Sequence, residues 1–144
     1  MSRRTRMLIL AGGMLLAGCL NSQIVRVANL EKATTVRLDD QGDPQKEGDE
    51  TQSVIDEPFR IEMVTAFIKS RTDSWRATGD LPRPARYTLS FCKNGVATDV
   101  FWLGRGRLET KDKSGMIHSL SLSDDEVEEL VNVFPGKQNL RSEN

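Results

Sequence analysis

The sequence predicts an α+β domain, a central antiparallel sheet of about four to six strands with two helices packed on one face. Three observations carry this expectation. Tyr87–Leu103 reads as a hairpin, two apolar-patterned runs on either side of the turn pair Asn94-Gly95. Two segments, one from Glu57 to about Thr72 and one from Ser123 to about Phe134, repeat apolar residues at helical spacing. Short β-prone runs bounded by turn residues fill much of the remainder.

The chain opens with Arg3, Arg4 and Arg6 and no acid, followed by the apolar run Met7 to Leu16. That run has the length of a secretory core and is too short to cross a bilayer, which takes roughly 20 apolar residues. Ala17 and Gly18 then lead into Cys19. The four residues Leu16, Ala17, Gly18 and Cys19 resemble the lipobox of bacterial lipoprotein signal peptides at every position. The resemblance implies cleavage before Cys19, diacylglycerol on its sulfur, and often acylation of the new amino group. More than one acyl chain makes such an anchor stable. In Gram-negative lipoproteins an Asp directly after the cysteine favours retention in the inner membrane. Leu20 and Asn21 follow here, which implies the outer membrane and a domain on its periplasmic side. The alternatives are an ordinary signal peptide with a chance cysteine at its end, or an uncleaved segment. The resulting organisation is a cleaved signal peptide (1–18), a short lipidated tether (19–23), one α+β domain (24–134) and a flexible polar tail (135–144).

Processing removes three arginines, leaving 17 basic against 21 acidic residues. A mildly acidic domain argues against nucleic acid as a partner. Lipidation of Cys19 leaves Cys92 alone, so no intrachain disulfide is expected even in an oxidising compartment. Charge is uneven along the chain. Residues 39–62 carry nine acids against Lys46 and Arg60, whereas residues 69–113 carry ten bases and five acids.

Taken in order, Ile24–Val27 and Thr34–Leu38 are expected strands. The stretch 39–53 is expected to be an acidic surface loop, since it is polar and carries Gly42, Pro44 and Gly48. Asp56 is the expected cap of the first helix, with Pro58 in its first turn. Phe59, Met63, Val64, Phe67 and Ile68 are its expected buried stripe. The hairpin register predicted from Asn94-Gly95 places Phe91 opposite Thr98, Leu89 opposite Val100 and Tyr87 opposite Trp102. Tyr87, Leu89, Phe91, Val100 and Trp102 would then line the buried face, with Thr88, Ser90 and Asp99 on the other and Phe101 there as the apolar exception. Arg107–Thr110 and Met116–Ser121 form a second hairpin. Ser123 and Glu126 spell a capping box ahead of Val127, Leu130, Val131 and Phe134.

Chemistry-bearing constellations are few. His118 is the sole histidine, so a histidine-rich metal site is excluded and a Ser-His-Asp set has to use it. Cys92 is expected to be an inert, half-buried thiol. Gly104-Arg105-Gly106 lacks the third glycine of a dinucleotide loop and is expected to be a turn or bulge. Asp39, Asp40, Asp43, Glu47, Asp49 and Glu50 lack calcium-loop spacing. No metal or small-molecule cofactor is expected beyond the lipid on Cys19. The candidate partner-binding set is Trp102, Arg105, Arg107, Lys111 and Lys113, because aromatics and arginine are enriched at interfaces. The reading that follows is a lipid-anchored, non-enzymatic binding or accessory domain with an envelope protein as partner. Its alternatives are an inhibitor or immunity lipoprotein, and a small envelope enzyme using His118 or Cys92.

Overall fold

A computed structural model of the protein describes residues 27–42, 48 and 50–136. The elements run α1 (Val27–Leu30), β1 (Thr35–Asp40), β2 (Thr51–Ile55), α2 (Pro58–Lys69), β3 (Arg76–Gly79), β4 (Tyr87–Lys93), β5 (Val96–Gly104), β6 (Arg107–Lys111), β7 (Ile117–Ser121) and α3 (Asp124–Asn132). All seven strands join one antiparallel sheet in the order β2-β1-β4-β5-β6-β7-β3. The α+β class holds, with one strand more than the upper expectation. The strands not expected are β2 and β3, and β3 is a short edge strand that follows the buried Trp75.

Two expected boundaries change. Of the expected strand Ile24–Val27, residues 24–26 lie outside the described residues, and Val27 begins a helical turn instead. The acidic stretch 39–53 is not wholly loop. Asp39 and Asp40 end β1, and β2 starts at Thr51 and pairs back onto them, with Asp39 opposite Gln52. Within the tail, Pro135 and Gly136 form a turn and residues 137–144 lie outside the described residues.

The central hairpin departs from the predicted register, and the departure has a specific cause. Asn94 (φ 52°) and Gly95 (φ 78°) adopt the two left-handed conformations that a type I′ turn demands. Lys93 pairs with Val96 and Cys92 with Ala97, as that turn dictates. A bulge then intervenes, and Phe91 pairs with Asp99, Leu89 with Phe101 and Tyr87 with Leu103. One extra residue in β5 sends every later side chain to the other face. Phe101 and Leu103 therefore enter the core in place of Val100 and Trp102, and Asp99 moves to the core-side register.

The core face collects Val36 and Leu38 of β1, Leu89 and Phe91 of β4, Phe101 and Leu103 of β5, Leu108 of β6 and Leu120 of β7. Ile61, Val64, Phe67 and Ile68 of α2 and Leu130 and Val131 of α3 close over them. Phe101 packs edge-on to Phe91 (ring centroids 5.7 Å apart) and tilted to Trp75 (6.2 Å).

α2 is capped by Glu57 rather than Asp56, and Glu57 makes no side-chain cap bond. It is also shorter than expected, with a 3-10 turn at Thr72–Ser74 after it. Phe59 and Met63, expected inside, lie outside at 71% and 44% exposure, and Ile61 takes their place in the core. α3 carries the predicted capping box, with Ser123 Oγ accepting from the Glu126 N–H and Glu126 accepting from the Ser123 N–H. That backbone bond, together with the Arg71 guanidinium reaching over from just past the end of α2, holds the Glu126 carboxyl below its ordinary pKa. The Arg71–Glu126 pair thus ties the two helices side by side on one face of the sheet.

Candidate functional site

With the helices on one face, the sheet's second face is left to its own side chains. The register places Val54 and Gln52 of β2, Arg37 and Asp39 of β1, Thr88 of β4, Val100 and Trp102 of β5, and Lys111 of β6 on it. Val54, Gln52 and Lys111 are exposed, and Thr88, Val100 and Trp102 are half-buried. Arg37 and Asp39 pair at 2.9 Å, and Gln52 donates to the same carboxylate. The face is a shallow strip with an aromatic and two valines among polar groups.

Toward β6 and β7 this face is crossed by the chain itself. β3 lies at one edge and β4 in the middle, so residues 80–86 must pass over the intervening strands. The crossing is pinned by Glu109 of β6, a carboxylate only 1% exposed. The Arg83 N–H donates to Glu109 Oε2 (2.9 Å) and its Nε to Oε1 (2.6 Å), while Nη2 donates to Ser119 Oγ (2.9 Å). Arg107 adds a second cation at 3.5 Å from Glu109 and donates to the Pro84 carbonyl (2.6 Å). Arg86 ends the crossing on the buried Asp40 (3.2 Å). The two prolines around Arg83 restrict this segment to extended backbone.

Of the predicted partner-binding set, Trp102, Arg107 and Lys111 share the second face. Arg107 is not free there, because Glu109 and the Pro84 carbonyl hold it. Arg105 and Lys113 are exposed in turns at opposite ends of β6 and do not join the others. Gly104 ends β5 opposite Arg107, and Arg105-Gly106 form a two-residue turn, one of the expected forms, with Gly106 at φ 71°.

His118 sits on the core side of β7 opposite Thr110 and Ala77 and is 8% exposed. Its Nε2 lies 2.7 Å from Asp112 Oδ2. The other oxygen of Asp112 accepts from the Ser114 hydroxyl (2.6 Å), the Ser114 N–H (2.8 Å) and the Met116 N–H (3.0 Å). The Ser114 and His118 side chains lead this set in holding the Asp112 carboxyl well below its usual pKa. A general base has to reach its proton directly or through one water. His118 Nδ1 is enclosed with no partner among the described residues, and Nε2 is committed to Asp112. Chemically the pair clasps the β6–β7 turn shut. Cys92 is more buried than expected at 5%, its Sγ 3.8 Å from the Ser90 carbonyl.

The clasp makes a pH prediction. A carboxyl whose folded pKa is lowered stabilises the fold above its unfolded pKa, and that stabilisation is lost as pH falls through the folded value. Asp112→Asn is expected to lower the thermal midpoint near neutral pH. The gap to the parent should narrow in acid, below about pH 4 where the unfolded carboxyl titrates. Parallel melting curves from pH 2 to 7 would contradict this.

Among the described residues no group of histidine, cysteine and acidic side chains is arranged to hold a metal. The acidic stretch is dispersed, with Asp39 paired to Arg37, Asp40 to Arg86, and Asp43, Glu47 and Asp49 outside the described residues. A groove of about 620 Å³ runs between the α1–β1 turn and α2 over Ala33, Pro58, Ile61 and Thr65, bridged by the Glu31–Lys69 pair. No helix among the described residues is long and apolar enough to cross a membrane. No protein-family model, curated protein or solved structure matches the chain.

Proposed function

We propose that this chain is a lipid-anchored lipoprotein of the bacterial cell envelope, held at the periplasmic face of the outer membrane, whose domain is a non-enzymatic binding or accessory module. The observation that carries the reading is the run Leu16-Ala17-Gly18-Cys19, placed directly after a basic start and a short apolar segment. Two side-chain placements support the non-enzymatic part. His118 has both ring nitrogens committed or enclosed, and the Cys92 thiol is buried. The strip around Trp102, Val100 and Val54 offers a partner a flat, partly apolar surface on a rigid sheet. An inhibitor or immunity role against an envelope-directed hydrolase or toxin is a special case of the same reading.

The test is metabolic labelling with palmitate in a bacterial host. The parent chain is expected to take up label and to fractionate with membranes. Cys19→Ala is expected to lose both. Equal labelling of the two proteins would end the lipoprotein reading.

A further inference from the structure

We propose that the outward ridge of α2 is a membrane-contact surface that rests in the interfacial layer of the bilayer carrying the Cys19 lipid. The proposal rests on the lipoprotein reading above and adds an orientation to it. α2 buries Ile61, Val64, Thr65, Phe67 and Ile68 toward the sheet. At about 100° per residue, Phe59, Met63, Ala66 and Ser70 fall together on the opposite side. A surface helix ordinarily sets its charged residues there. This ridge carries none, and its two large side chains, Phe59 and Met63, are exposed.

The exposed Glu62 borders the ridge beside Ala66, and the other charges of α2 and its C-terminal turn lie on the flanks with partners. Lys69 pairs with Glu31 beside α1 at 2.7 Å. Arg60 donates to the Val133 carbonyl, and Arg71 pairs with Glu126, both on the α3 side. The ridge between them is left to aromatic, thioether, methyl and hydroxyl groups. That composition suits the boundary between headgroups and acyl chains, where aromatic rings concentrate.

The tether selects the membrane as occupant. Val27 begins α1 eight residues after Cys19. A fully extended chain covers at most about 3.6 Å per residue, so Val27 stays within about 29 Å of the lipidated sulfur. α1 is docked beside α2, with Leu30 fully buried and Glu31 on Lys69. The outward ridge of α2 therefore lies within the tether's reach of the bilayer. Phe59 and Met63 alone make a weak contact, but tethering converts that contact into an intramolecular one at high effective concentration. In this orientation the second face, with Trp102 and Val54, points away from the bilayer.

The experiment uses the full-length lipidated protein in phosphatidylcholine vesicles whose acyl chains are brominated near the headgroup. An indole is introduced at the ridge by Phe59→Trp. In a separate variant Leu81→Trp places one on the crossing over the second face, where Leu81 is 82% exposed. Both sites are exposed, so folding is retained, and flotation with the vesicles reports the anchor independently. The expected result is loss of most of the emission added at 59 and none of that added at 81. Equal emission at the two sites from protein that floats would overturn the ridge contact while leaving the anchor intact. Protein that does not float would remove the anchor and the proposal together. Concentration-dependent shielding of the residue 59 indole without lipid would make the ridge a contact between copies and overturn the membrane assignment.

Discussion

Phe101→Ala is expected to destabilise the domain by about 3–5 kcal/mol, the range for deleting a large buried aromatic. Phe101 is 1% exposed and touches both Phe91 and Trp75. Truncating it opens a void at the junction of β4, β5 and the segment leading into β3. Trp102, one residue on, is larger, yet Trp102→Ala is expected to cost no more than about half as much, because the indole is half-buried on the second face and its area term is only partly realised. Urea denaturation of the two variants compares them directly. The ordering distinguishes the bulged hairpin from the unbulged one, in which Trp102 is inside and Phe101 outside. A larger loss for Trp102→Ala would mean that the bulge between Phe91 and Cys92 does not exist.

Arg83→Ala is expected to cost about 3 kcal/mol, the low end of what breaking a buried ion pair does. Judged by its own exposure this residue should matter little, since its side chain is 53% exposed and surface pairs contribute about 0–1 kcal/mol. Its partner decides the outcome. Glu109 is 1% exposed, and removing the guanidinium strips the close 2.6 Å bond from a carboxylate that cannot turn to water. Arg107, 3.5 Å away, compensates in part. The double variant Arg83→Ala/Glu109→Leu is expected to recover much of the loss, because the stranded charge goes with it. Arg37→Ala, which breaks an exposed pair with Asp39, is the control and is expected to change stability by less than about 1 kcal/mol. Additive costs for Arg83 and Glu109 would refute the coupling.

What was legible in the sequence follows from how local each signal is. Asn94-Gly95 and the Ser123–Glu126 box act over four residues or fewer, and both appear as predicted. The bulge leaves no comparable mark. Nothing in Val96-Ala97-Thr98-Asp99 identifies which residue will be extra, and counting outward from the turn put Trp102 inside. The buried side of α2 differs from the expected stripe for a related reason. Phe59 and Met63 flank the buried Phe67 on the helix, but the side that meets the sheet is centred on Ile61, Val64 and Ile68 and leaves those two outside. Hydrophobicity alone does not separate the two sides, because the exposed one is apolar as well. β3 went unseen because Arg76-Ala77-Thr78-Gly79 has no β pattern of its own and is a strand through its pairing with β7. The strongest electrostatic features, Arg83 with Glu109 and His118 with Asp112, join residues whose proximity only the topology creates. One hint was present, since Glu109 is the only acid between Asp99 and Asp112, in a stretch otherwise rich in bases.

The strand order carries a consequence for how the chain assembles. β4 to β7 form a meander of tight hairpins, each closable as soon as its two strands exist. β3 precedes all of them in the chain but docks last in space, onto β7, and Arg83 and Ser119 are 36 positions apart. Its loop-closure entropy is recovered only after the final hairpin is in place. The crossing segment therefore acts as a late fastener drawn over a sheet already built. A domain synthesised N-terminus first holds β3 idle until nearly all of its residues have followed. Until then β7 is an unprotected edge, and the time spent in that state sets the exposure of this protein to mispairing.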